Sequence, residues 1–152
     1  ARHYAAASGR LCLADDSGLC VDALGGEPGV HSARFAGVSG DRATVDPANN
    51  QRLIESLESV PTDGRSARFV CVMVLADPQT TWAQVRGEVP GRIVDPPRGS
   101  NGFGYDPHFE IAELGRTAAE LSPAQKNAIS HRGRALQQLI VALRRLGGDS
   151  IG

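Results

Sequence analysis

"SARFVCVMVLADPQTTWAQVRGEVPGRIV", residues 66–94, decides the fold. Its opening, "SARFVCVMVLAD", is rich in β-branched residues and apolar at nearly every position. That pattern indicates a strand covered on both faces and therefore central in a sheet. "DPQTT" is a turn signal, and "WAQVRGEVPGRIV" reads as a returning strand, so the two form an antiparallel hairpin. Pro90 has no N–H to give to a ladder, which makes the second strand an edge, or bulged, at that point.

Upstream of the hairpin, "RLCLA" alternates in strand fashion, "DDSG" interrupts it, and "LCVDAL" resumes it before a Gly- and Pro-rich loop, "GGEPGVHSARFAG". The first residues, "ARHYAAASG", read as the last turns of a helix closed by Gly9. From Asp46 the period becomes helical, with Asp46 as cap, Pro47 at the first helical position, and Leu53, Ile54, Leu57 and Val60 as one apolar stripe. Downstream, "DPPRGSNGFGYDP" has too many glycines and prolines for a regular element. Ser122, Pro123 and Gln125 make a capping box with proline at the first helical position. The last helix places Leu136, Leu139, Ile140, Leu143 and Leu146 on one face and stops at Gly147-Gly148.

A chain of 152 residues matches one domain, and 41% hydrophobic residues with Lys+Arg 16 against Asp+Glu 17 describe an ordinary globular protein. A net charge of -1 favours a small nucleotide in a pocket over a nucleic-acid polymer along a basic groove. No apolar run reaches the length of a membrane span and no signal peptide is visible, which makes the expected location cytoplasmic. Cys12, Cys20 and Cys71 are odd in number and form no CxxC pair, so reduced thiols in apolar surroundings are expected rather than a zinc site.

Three irregular stretches carry the candidate chemistry. In "ADDSGL" (14–19) two carboxylates and a hydroxyl leave a strand. Neighbours on an extended chain point to opposite sides, so Asp15 and Asp16 cannot both face one pocket unless the backbone turns. A carboxylate there is a hard oxygen ligand suited to Mg²⁺; an Asx-turn with a surface acid accounts equally for the motif. In "GSNGFGYDP" (99–107), Phe103 offers a stacking surface for a base, and Tyr105 and Asp106 lie beside it. The alternative is that its aromatics tuck into the core. In "LSPAQKNAISHRG" (121–133), Lys126 is the one lysine beside fifteen arginines. On one straight helix Lys126, His131 and Arg132 would scatter; if Ser130 caps a new helix, the chain bends and the three converge. A Ser17/His131 triad with Asp16 or Asp106 is the rival enzyme reading, weakened by the missing G-x-S-x-G elbow.

In this order, "LADDSGLCVDALGGEPGVHSARFAG", "NNQRLIESL", "SARFVCVMVLADP", "GSNGFGYDPHF" and "TAAELSPAQKNAISHRGRAL" resemble the inosine triphosphate pyrophosphatase family over essentially the whole chain. The resemblance implies an α/β fold in which a mixed, elongated central β-sheet is flanked by helices, with two lobes around an active-site cleft, usually as a homodimer. It implies Mg²⁺-dependent hydrolysis of deaminated purine nucleoside triphosphates (dITP, ITP, XTP) to the monophosphate and pyrophosphate, cleansing the nucleotide pool. By position, Asp16 is similar to the family's metal ligand and proton acceptor and Ser17 to a substrate contact. Phe103, Gly104, Tyr105 and Asp106 match the base-binding loop, and Lys126, His131 and Arg132 the remaining substrate contacts. Lys126 and Arg132 are donor-only groups, suited to a 6-keto acceptor and mismatched to adenine's amino group.

The family pattern also has an N-terminal strand and turn with Ser/Thr, Asn and Lys, followed by a metal-binding glutamate and another lysine. Residues 1–152 are therefore expected to be a single pyrophosphatase domain, N-terminally truncated relative to the family, with little activity as it stands. The alternative is a catalytically weak nucleotide-binding or structural remnant.

Overall fold

The computed structural model describes residues 1–148. The hairpin forms as its pattern requires: β2 (Ser66–Ala76) and β3 (Thr81–Ile93) are antiparallel, in register from Ser66↔Arg92 to Leu75↔Ala83. Asp77 makes the turn, its Oδ1 accepting from the amides of Gln79 and Thr80 at 2.8 and 2.6 Å. The register shift lies at Leu75/Ala76, not at Pro90. β3 pairs on both sides, with β2 and with a three-residue neighbour, so Pro90 is neither on an edge strand nor at a bulge; it is tolerated because it lies just beyond that three-residue pairing. Its carbonyl accepts from Ala112 N at 3.2 Å, so its missing N–H also points away from β2, where β3 has only a short neighbour.

That neighbour is β4 (Phe109–Ile111), and β5 (Arg116–Thr117) follows it; β1 (Cys12–Val21) pairs with β2 on the other side. The sheet order is β1-β2-β3-β4-β5, and all four pairings among the described residues are antiparallel. "DDSG" does not interrupt β1: Asp15, Asp16 and Ser17 lie in the ladder opposite Met73, Val72 and Cys71. Ladder bonds to an apolar central strand outweigh the turn preference of this local sequence.

One face of the sheet carries the core. Leu19, Ala67, Val89 and Ile93 join Leu53, Leu57 and Phe109 in one cluster, and Cys71, Met73 and Ala83 join Ala135 and Leu139 in a second. The opposite face is covered less completely, since Val70 is buried but Val72 and Val74 are half-buried. Cys71 is a buried free thiol, and Cys12 and Cys20 are half-buried ones.

Among the helices, α1 (Arg2–Ser8) ends at Gly9 in the left-handed conformation, as its sequence predicts. Helix α2 (Arg42–Ser56) buries Leu53 and, just beyond its end, Leu57, but it begins earlier than the pattern from Asp46 suggests. Asp41 is the cap, its Oδ1 accepting from Thr44 N at 3.0 Å and from Thr44 Oγ1 at 2.9 Å. Pro47 is therefore inside the helix, where it removes one bond to the solvent-exposed first turn.

Helices α3 (Pro123–Ile129) and α4 (His131–Gly148) meet at Ser130, and the Ser122/Gln125 capping box is present. The predicted stop at Gly147-Gly148 falls at the limit of the described residues. The α4 face is corrected: Ala135 and Leu139 meet the sheet, with Ala142 against the same cluster, while Leu136, Ile140 and Leu143 are exposed. Small residues line this contact because α4 runs close to β3. A Cβ on Gly87 would lie 2.2 Å from the His131 carbonyl oxygen and 2.4 Å from Ala135 N. Gly87 thus fixes the start of α4 over the sheet, which sets the position of His131 and Arg132.

Candidate functional site

A cleft of about 400 Å³ opens on the core face of the sheet. Its floor is Ser17, Leu19 and Phe69; one wall is the start of α2 with Ser32 and Ala33; the other is Lys126, His131 and Arg132. The loop bearing Phe103 to Asp106 closes one end. This volume lies in the range of sites that hold a small molecule. Of the residues singled out in the sequence, Ser17, Phe103, Gly104, Tyr105, Asp106, Lys126, His131 and Arg132 are brought together here, and Asp16 is not in the lining.

The convergence at α3–α4 has the cause its sequence suggests. Ser130 is extended, its hydroxyl accepts from Gly133 N at 3.0 Å and its carbonyl from Arg134 N at 2.9 Å, so a new helix starts there. Gly133 permits the bend, because a Cβ there would be 2.5 Å from the Asn127 carbonyl oxygen. His131 then stacks on Phe69, with ring centroids 5.1 Å apart and planes 15° from parallel. Burial, and secondarily the charges of Arg132 and Lys126, push its pKa down to about 4 against the opposing pull of Asp15. His131 is neutral at pH 7.

Phe103 and Tyr105 separate. Tyr105 goes into the core, its hydroxyl donating to Ser32 O at 2.8 Å, and burial followed by the Asp46 charge pushes its pKa well above the usual range. Phe103 is 48% exposed and faces the cleft. The core reading therefore holds for Tyr105, while Phe103 keeps an exposed ring at the cleft. Lys126 Nζ and Arg42 Cζ each lie 4.6 Å from the Phe103 centroid.

Asp106 is buried and is an anchor. Its Oδ2 accepts from Phe103 N at 2.8 Å and from Lys126 Nζ. Gly102 stands at φ 81 with no room for a side chain, since a Cβ would be 2.0 Å from that same oxygen. Glu110, held below the usual carboxylate range chiefly by its bond from Arg92, receives Arg92 Nε at 2.6 Å and Arg98 Nη2, which ties the preceding loop to β4.

The two strand carboxylates also separate, by strand alternation rather than by a turn. Asp15 Oδ2 accepts from Arg132 Nε at 2.8 Å, across the cleft face. This pair is about half exposed and contributes at most about 1 kcal/mol, but it orients Arg132. Asp16 is exposed on the opposite face and carries no ion pair among the described residues. No group of three or more His, Cys, Asp or Glu side chains among the described residues makes a metal cage. One free carboxylate fits Mg²⁺ nonetheless, because that ion takes one or two carboxylates together with substrate phosphates and water. On the floor, Ser17 Oγ is buried without a hydrogen-bond partner among the described residues, an arrangement that invites a ligand group.

Sequence reasoning missed Arg42, Asp46, Asn49 and Ser32. Asn49 Oδ1 accepts from Ala36 N at 2.8 Å and its Nδ2 donates to Ser32 O at 3.3 Å; Ser32 Oγ accepts from Leu19 N at 2.8 Å. These bonds fasten α2 to β1 through the segment Gly29–Arg34. The polar pair "NN" on a helix with a buried apolar stripe was the available signal.

The Ham1 family model matches residues 1–142. A dITP/XTP pyrophosphatase of Ralstonia nicotianae is 51% identical over 148 residues, which cover 95% of this chain and 71% of that protein. One of Nocardia farcinica is 54% identical over 143 residues, covering 94% of this chain and 68% of that protein. Among solved structures, a HAM1 protein from Coxiella burnetii superposes with a TM-score of 0.86 at 45% identity, covering 95% of this chain and 73% of its own. The nucleoside-triphosphatase / dITP/XTP pyrophosphatase of Mycobacterium abscessus gives 0.80 at 47% identity, with 91% and 71% covered. Matched by the family model over residues 1–142, about half identical to these relatives and sharing the fold of these structures, the chain belongs to the Ham1 family.

Proposed function

We propose that this protein hydrolyses dITP, ITP and XTP to the nucleoside monophosphate and pyrophosphate, acting on free nucleotides in the cytoplasm as a homodimer. One observation carries the reading: a single cleft gathers an exposed aromatic ring, the three cations Arg42, Lys126 and Arg132, and a buried hydroxyl without a partner among the described residues. Phe103 stacks on the purine, which contributes on the order of 1–3 kcal/mol but is blind to base identity. Lys126 and Arg132 supply the selectivity. Each spends one donor on a carboxylate and keeps others for a 6-keto oxygen, and adenine would leave those donors facing an amino group.

Ser17 donates to a phosphate oxygen. His131, neutral at pH 7, offers one N–H and one acceptor without adding charge beside Lys126 and Arg132. Asp16 is the proposed metal ligand and proton acceptor for the attacking water. Asp16 and Ser17 are neighbours on β1, the outer strand of the sheet among the described residues, so a phosphate chain at that side would meet Ser17 on one face and a metal on Asp16 at the other. Mg²⁺, held by Asp16 and the phosphates, would neutralise charge that develops on the transferred group.

Steady-state pyrophosphate release from dITP and dATP, with and without Mg²⁺, tests this. A strong preference for dITP that requires Mg²⁺ is expected, and equal turnover of the two nucleotides would sink the assignment. Lys126→Met removes a charge-assisted hydrogen bond and should lower kcat/KM for dITP by about 10- to 100-fold. The loss on dATP should be smaller; an equal loss on both would make Lys126 a general charge rather than a reader of the base.

A further inference from the structure

Phe103 presents a problem of positioning. A ring 48% exposed is not fixed by core packing, so where it stands depends on the backbone that carries it and on the two cations against it. That backbone is gripped at the next peptide group. Gly104 N donates to Asp46 Oδ2 at 2.7 Å, and Gly104 O accepts from Asn50 Nδ2 at 2.9 Å. Asp46 and Asn50 are four apart on α2 and so project from one face of it. Together they take both hydrogen-bonding groups of a single residue that is 58 and 54 positions away in sequence.

From this we propose that Asp46 and Asn50 are positioning residues for the base-stacking ring: a two-point clamp on Gly104 that fixes the backbone from which Phe103 projects and so governs nucleotide affinity. The proposal rests on the reading of the cleft as a purine nucleotide site. The ring is held on one side by this clamp and on the other by Asp106, whose carboxylate receives Phe103 N at 2.8 Å. Arg42, one turn before Asp46 on the same helix, lies against the ring itself. The α2 stripe 42, 46, 50 thus addresses the aromatic loop at three successive turns. Asn50 Oδ1 is buried without a partner among the described residues, so its amide is placed for the bond its nitrogen makes, although its oxygen is left unsatisfied.

The two residues differ in a way that makes the clamp testable. Asp46 acts as an acceptor, so Asp46→Asn, whose amide oxygen accepts equally, should preserve function, while Asp46→Ala should not. Asn50 acts as a donor to a carbonyl, so Asn50→Ala loses the bond, and Asn50→Asp places a carboxylate against it.

Two measurements on the full chain decide the matter: hydrogen exchange of a peptide spanning 102–106, and steady-state kinetics with dITP. In Asp46→Ala and Asn50→Ala, exchange of this peptide should accelerate by about tenfold while the β2–β3 peptides stay protected, consistent with loss of one hydrogen bond. KM for dITP should rise by about the same factor with kcat nearly unchanged, the sign of lost binding rather than lost chemistry. Asp46→Asn should restore both. Unchanged exchange and unchanged KM in the two alanine variants overturn the clamp, as does Asp46→Asn behaving like Asp46→Ala. Global unfolding of Asp46→Ala would shift the test to Asn50→Ala, and accelerated exchange throughout both chains would make the pair a fold determinant and overturn positioning. Absence of any preference for dITP over dATP in the wild-type chain, whatever its absolute rate, would defeat the functional reading, yet the exchange measurement would still decide the clamp.

Discussion

The β2–β3 hairpin and the rim of the cleft are built on opposite plans. In the hairpin, residues close in sequence repeat one interaction many times, and each ladder bond is supported by its neighbours. At the rim, single bonds join distant segments: Asp46 to Gly104, Tyr105 to Ser32, Arg132 to Asp15. A repeated structure loses little when one position changes on its exposed face, but its core side is cooperative. A rim of single bonds changes locally, altering ligand affinity before it alters the fold. The expected effects below follow that division.

The largest effect belongs where the two plans meet at Phe109. This residue is fully buried on β4, packs against Phe69 with ring centroids 4.5 Å apart, and supports the strand end from which Gly91 and Ile93 pair. Phe109→Ala should cost about 3–5 kcal/mol. Urea unfolding measures it, and the transition should stay single if hairpin and cleft share one core. Two separated transitions would break the comparison by showing that the rim unfolds alone.

A smaller effect, specific to the cleft, comes from His131. Its pKa in the folded protein is about 4, against an ordinary value of 6.5, so the unfolded chain binds a proton that the native chain refuses. Stability from this group is complete above pH 6.5 and is lost as pH falls toward 4. The upper bound is about 3 kcal/mol, reduced by whatever water reaches the ring through the cleft mouth. Unfolding midpoints measured from pH 7.5 down to 5 should decline in the wild type and flatten in His131→Phe, which keeps a ring against Phe69 and cannot titrate. Parallel slopes would show that His131 is not the group responsible.

The same division explains what could be read from the sequence. Period and composition placed β2 inside the sheet, the stripe Leu53–Leu57 and the cap Ser122, because each depends on near neighbours along the chain, and they offered the break at Ser130 as one of two alternatives. The continuity of β1 through "DDSG" was hidden, since it is imposed by pairing with β2 and not by its own residues. The start of α2 was misplaced because Asp46 looks like a cap beside Pro47, whereas its carboxylate is spent on Gly104. The outward turn of Leu136, Ile140 and Leu143 followed from the close approach of α4 to Gly87, a distance no periodicity reports. For the site, residue types and motif order identified the cleft residues, but the partners that orient them needed the third dimension.

Arg42 gives the smallest effect and the finest test of the contrast. Its guanidinium lies over the same ring as Lys126, at the same 4.6 Å, yet only Lys126 also reaches a buried carboxylate. An exposed cation over an aromatic contributes about 0.5–1 kcal/mol. If a purine stacks on Phe103 as proposed, Arg42 competes weakly with it for the ring, and a bound base displaces it or slides beside it. If it must be displaced, Arg42→Ala should lower KM for dITP by about two- to fivefold, the factor that this energy allows, with the unfolding midpoint unchanged. If the guanidinium instead moves onto the bound base, the same variant raises KM. The direction of the change, measured beside Asp46→Ala, separates a side chain that covers the ring from one that aims it.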